Sequence, residues 1–138
     1  MKNELEKFGS FFVRNLRDRM LYDLDMLLSS KWKTPELEGL QQSVSKFSVN
    51  DKEVIREVVD RVITSGMHDL LFALQEESDA GGSIRVFADG QEVAQLSDGL
   101  HGEIFGDDGW IVRYSEYPAD REKERSQWAQ KEIENLGE

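Results

Sequence analysis

Residues 83–117, SIRVFADGQEVAQLSDGLHGEIFGDDGWIVRYSEY, concentrate the β-formers, turn glycines and acids of this chain. Their apolar runs are separated by three Asp-Gly pairs, Asp89-Gly90, Asp98-Gly99 and Asp108-Gly109. Asp-Gly readily supplies the positive φ angles that tight hairpin turns require. Four strands are therefore expected, at 83–88, 91–96, 103–105 and 110–115. In the first, Ile84 and Val86 alternate with Arg85 and Phe87. In the last, Ile111 and Arg113 alternate with Trp110, Val112 and Tyr114, as in a sheet with one face on a core and one partly wet. The fold class expected is α+β: N-terminal amphipathic helices packed on one face of a C-terminal antiparallel β-meander of about four strands, followed by a C-terminal helix.

The cover for that sheet comes from upstream. Between about residues 2 and 29, Leu5, Phe8, Phe12, Leu16, Met20, Leu24 and Leu27 recur three or four apart, which paints one stripe on a helix. Arg14, Arg17, Asp18 and Asp25 fall on its polar face. Gly9 costs about 1 kcal/mol of helix propensity against alanine, which predicts fraying before it. Thr34-Pro35 restarts a helix running to about residue 46, with proline at the first helical position. A cap from Ser48 to Asp51 opens a third, through Val54, Ile55, Val58, Val59, Val62 and Ile63 to about Ser78. A kink or break is expected at Ser65-Gly66. Beyond Pro118, residues 119–136 read as a charged helix with Trp128, Ala129, Ile133 and Leu136 as its narrow apolar stripe. The whole chain 1–138 reads as one domain: helical layer 1–78, meander 83–117, C-terminal helix 119–136.

Composition narrows the function classes. At 138 residues a single core suffices. The absence of cysteine excludes disulfides, thiolate metal sites and cysteine nucleophiles, and fits a reducing compartment. No apolar run approaches the ~18 residues of a membrane span, and the start lacks a signal-peptide pattern, so a cytoplasmic location is expected. With 28 acidic against 17 basic residues the net charge is -11. Nucleic acid and anionic membranes need a positive field, so neither is expected as a partner. The excess is uneven: residues 1–50 carry eight basic and seven acidic groups, residues 51–100 four and eleven. Between Glu76 and Asp108 the one permanently cationic side chain is Arg85.

The candidate binding residues are Asp98, His101, Glu103, Asp107, Asp108 and Trp110. On a strand, His101 and Glu103 would share a face, with the aspartates in adjoining turns. Carboxylates with one imidazole suit a divalent ion or an acid–base pair. The spacing matches neither a calcium loop nor HExxH, and turn chemistry accounts for the same residues. There is no GxxxxGK[ST] and no GxSxG. No catalytic residue, metal or cofactor is assigned.

Two functions are expected to compete. One is a non-catalytic protein-binding module that meets a basic protein partner with an acidic sheet and turn surface, using Trp110, Tyr114 or Tyr117 as anchors. In size and charge the chain is similar to bacterial immunity proteins, which mask a toxin's basic active site. That similarity of character implies an inhibitor-like or adaptor role. The alternative is a small-molecule-binding domain or metal-assisted enzyme around His101 and Glu103. A homodimer through the C-terminal helix or a sheet edge is compatible with either.

Overall fold

In the computed structural model, which describes residues 3–117, Asn3 opens the first helix by accepting the Glu6 N–H on its side chain at 2.9 Å. Helix α1 (Glu4–Phe12) passes through a π-helical turn (Val13–Arg17) into α2 (Asp18–Leu28), forming one rod. The expected fraying before Gly9 is absent. Gly9 is buried under Trp110, where an added Cβ would lie 2.5 Å from the indole Cδ2. The π turn inserts an extra residue, so the apolar stripe advances and two charged residues read as surface turn inward. Arg17 meets Asp60 at 2.6 Å with both side chains buried. Asp18 accepts hydrogen bonds from Ser115 Oγ at 2.5 Å and from the Glu116 N–H at 3.0 Å.

Helix α3 (Pro35–Ser45) follows a loop in which the buried Gln41 side chain grips both the N–H and the carbonyl of Trp32. Helix α4 (Val49–Asp79) begins with a Ser48–Asp51 capping box and runs without a break through Ser65-Gly66, contrary to the expected interruption. One glycine in a helix this well anchored lowers stability without ending it. Ile63, Met67 and Leu71 carry its inner face.

The expected four-stranded meander is not there. Helical segments hold 69% of the described residues, and the sheet is a two-stranded antiparallel hairpin. It pairs β1 (Phe87–Ala88) with β2 (Gln91–Glu92) in the register Phe87↔Glu92, Ala88↔Gln91. Asp89-Gly90 makes its turn with φ of 47° and 80°, both left-handed, as a type I′ turn demands. The other two Asp-Gly pairs make no hairpin: Gly99 is extended at φ 171° and Gly109 sits at -69°. Val93–Leu96 and Leu100–Gly102 form 3-10 turns, and Trp110–Tyr114 forms α5. On a strand, Val112 would share a face with Trp110 and Tyr114. Instead Trp110 and Tyr114, one helical turn apart, are both buried and Val112 is exposed. With so short a sheet, neither a helix-covered sheet face nor a long open edge exists among the described residues. The segment wraps the helices and supplies Val93, Ala94, Leu100, Ile104, Trp110 and Tyr114 to a core shared with Leu5, Phe12, Val13 and Leu21 of the rod and the inner face of α4. The C-terminal helix expected at 119–136 lies outside the described residues. Among those residues no helix is long and apolar enough to cross a membrane.

Candidate protein-binding face

Gln75, buried on α4, donates to the Ala94 carbonyl at 3.1 Å and accepts the Leu100 N–H at 3.0 Å. With Leu100 buried beside it, the 3-10 turn is fixed against α4, and the next residue, His101, must lie on that helix. One helical turn of α4 presents His68 and Phe72 there, four residues apart on one face. The His101 ring sits edge-on to His68 at 5.4 Å and to Phe72 at 5.0 Å. Phe105 closes the group, 6.0 Å from His68. The chain's two histidines, 33 positions apart by number, thus share one aromatic cluster. A Cβ at Gly99 would come within 3.1 Å of His101 Cε1, so this glycine serves the ring rather than a hairpin. His68 Nδ1 pairs with Asp69 at 3.1 Å, while His101 Nδ1 is buried without a hydrogen-bond partner.

Asp98 stands three residues before His101, and Asp107 and Asp108 follow Phe105 by two and three. Asp98, Asp107 and Asp108 are exposed, and none of their side chains has a hydrogen bond or ion pair among the described residues. The Asp108 carbonyl accepts Arg113 Nε at 2.7 Å. Within residues 83–92 the two acids are paired: Asp89 with Lys7 at 2.8 Å and Glu92 with Arg85 at 3.1 Å. Of residues 83–117, Asp98, Asp107, Asp108 and Glu116 are exposed without a side-chain ion pair among the described residues, and three of the four lie in the acidic loop stretch between Leu96 and Trp110. Phe72 and Phe105 remain 42% and 51% exposed.

The expected pairing of His101 with Glu103 does not form. Two residues along a 3-10 turn are about 240° apart, so the side chains diverge. Glu103 accepts a hydrogen bond from Ser97 Oγ at 2.8 Å. Trp110 is fully buried, with its backbone N–H donating to the Glu103 carbonyl at 2.8 Å, and Tyr114 is buried too. Among the described residues no three His, Cys, Asp or Glu side chains converge as a metal site. The sequence reads His68 as a structural side chain beside the apolar stripe and does not single out Phe72. Their signal was the i, i+4 spacing on α4, but nothing local to it pointed at residue 101.

Behind the face, α5 is locked to α1. Glu6 receives Arg113 at 2.7 Å and the Tyr114 hydroxyl, and Arg113 lies 4.9 Å over the Tyr114 ring. The Arg113 guanidinium holds the Glu6 carboxyl below its ordinary 4.5, against the opposing effect of partial burial and with help from Tyr114. Burial, then the hydrogen bond to Glu6, pushes the Tyr114 hydroxyl up. Two open clefts lie elsewhere: one of about 540 Å³ between Trp32 and α3, one of about 490 Å³ beside Arg14 and Tyr22. Neither is lined by His68, His101 or the acidic loops.

No protein family matches the chain, and neither the curated proteins nor the solved structures give a match.

Proposed function

We propose that this protein is a non-catalytic binding module, inhibitor-like or adaptor-like, that docks a basic protein on the loops between Leu96 and Trp110 and the adjoining turn of α4. The observation behind it is one juxtaposition: exposed Phe72 and Phe105 beside two histidines, on a stretch whose exposed Asp98 and Asp107 have no ion pair with a lysine or arginine of the described residues. Aromatic anchors supply most interface energy, and a charged rim of one sign steers and selects an oppositely charged partner. The alternative of a metal-assisted or small-molecule site at His101 and Glu103 has less behind it, because Glu103 accepts a hydrogen bond from Ser97 and, among the described residues, no three His, Cys, Asp or Glu side chains converge. A cytoplasmic location belongs to the same proposal, supported by the lack of cysteine.

The test is a titration of the isotope-labelled protein with a lysine- and arginine-rich peptide, followed by amide chemical shifts. Shifts confined to residues 96–109 and the His68–Phe72 turn, weakened by salt, are expected. Shifts spread over all acidic surfaces, or equal shifts with a neutral peptide of the same length, would overturn the proposal.

A further inference from the structure

In each of the three Asp-Gly pairs the glycine leaves its peptide nitrogen unshielded by a side chain. Such a nitrogen can attack the aspartyl side chain before it. The bond from the glycine nitrogen to Cγ forms as the C–OH bond of the carboxylic acid breaks. The nitrogen's proton leaves with that hydroxyl as water, and a five-membered succinimide closes. Water then adds to one of the two ring carbonyls and returns a proton to the nitrogen. Opening at Cγ restores aspartate. Opening at the former backbone carbonyl leaves isoaspartate, with the main chain running through the side-chain carbons and no net change in mass. Two conditions govern the reaction: the carboxyl must be free to protonate, and the peptide must be free to turn toward it.

The fold denies one condition at each of two pairs. The Asp89 carboxylate accepts Lys7 Nζ at 2.8 Å, and that hydrogen bond, with the ammonium charge, holds the carboxyl below its ordinary 3.8, so the reactive acid form is depleted. Asp108 is exposed, but Gly109 is buried and donates its N–H to the Gly106 carbonyl at 3.0 Å. The Asp108 carbonyl accepts Arg113 Nε at 2.7 Å, so that peptide is clamped at both ends. Asp98 has neither restraint. Its side chain is exposed, without an ion pair or hydrogen bond among the described residues. The Gly99 N–H is held at 3.1 Å by the hydroxyl of Ser97, a side chain that can rotate away without moving the backbone. We infer that Asp98 is a site of isoaspartate formation in the folded protein, and the fastest of the three. The added atom enters the main chain two residues before Leu100, whose N–H is fixed to Gln75 at 3.0 Å. It therefore lengthens the chain just ahead of the contact that seats His101 on α4. The inference stands independently of the acidic loops as a docking surface.

Prolonged incubation of the full chain at physiological temperature and pH tests it, followed by peptide mapping with isoaspartate detected through enzymatic methylation of its free α-carboxyl. Isoaspartate at 98 should accumulate at least about five-fold faster than at 89 or 108, the factor that one net hydrogen bond imposes on a rate. In guanidinium, where the fold is lost, the three rates should converge. Asp98→Glu would have to close a larger ring and should lose the signal at 98, with circular dichroism showing the fold intact. A folded chain that forms no isoaspartate at 98, or forms it no faster than at 89 and 108, overturns the inference. The same ranking in guanidinium also overturns it, because the preference would then come from local sequence and not from the fold.

Discussion

Gly9→Ala is the most exacting test of how the rod and the C-terminal half fit. The new methyl would lie 2.5 Å from Cδ2 and 2.7 Å from Nε1 of Trp110, where carbon atoms settle at about 3.5–4.0 Å. The indole is fully buried and backed by Phe8, edge-on at 5.9 Å, so it has little room to retreat. Overpacking of this kind costs about 1–3 kcal/mol, and replacing a helical glycine returns up to about 1 kcal/mol. A net loss of roughly 1–2 kcal/mol follows, or a fall in Tm of about 3–10 °C for a domain of this size. Urea unfolding followed by tryptophan fluorescence and circular dichroism measures it. Gly39→Ala is the internal control, because nothing lies within 4 Å of a Cβ there and the helix should gain. If Gly9→Ala gained as much as Gly39→Ala, Trp110 would not rest on α1 and the packing described above would be wrong.

Other perturbations follow from single contacts. Asp60→Ala leaves the Arg17 charge buried and should cost about 3–5 kcal/mol by urea denaturation, whereas Arg17→Met with Asp60→Leu should cost much less. Because folding lowers the Glu6 pKa, its contribution is present above about pH 4.5 and is lost as pH falls through the lower folded value. Urea midpoints of wild type and Glu6→Gln should therefore differ at neutral pH and converge in acid; a constant gap would contradict the Arg113 pairing. The raised Tyr114 pKa acts at the other end, adding stability that is present below about pH 10 and lost as pH rises. Gly90→Val places a β-branched side chain at φ 80° and should cost about 1–2 kcal/mol in thermal unfolding.

How much the sequence disclosed depended on whether local pattern and tertiary packing agreed. The long helices were legible because Leu5, Phe12, Ile63, Met67 and Leu71 recur at helical spacing and are buried, although beyond the π turn burial passes from the expected Met20, 42% exposed, to Leu21. Asp89-Gly90 was legible because its turn requires only two left-handed residues in a row. Trp110–Tyr114 misled because tryptophan, isoleucine, valine and tyrosine all favour strands. What decided there was the burial of Trp110 against Gly9 and the Glu6 bond to Tyr114, over a hundred residues away in the chain. Arg17 and Asp18 misled because a π turn moves a stripe without leaving a composition signal. For the candidate face, the aspartates were visible as a run, and the structure leaves Asp98 and Asp107 outward. The rings that give the charge a centre were not, because His68 and Phe72 meet His101 only through the folded path fixed by Gln75.

The central claim is that charge in one place, rather than the net charge of the chain, selects a basic partner. Calorimetric titration with the same cationic peptide tests it directly, comparing Asp98→Lys with Asp107→Lys against Glu36→Lys with Glu38→Lys on α3. Both double variants change the net charge equally. The account predicts that the loop pair loses at least ten-fold in affinity while the α3 pair stays within about two-fold of the wild type. Equal losses in the two would contradict it.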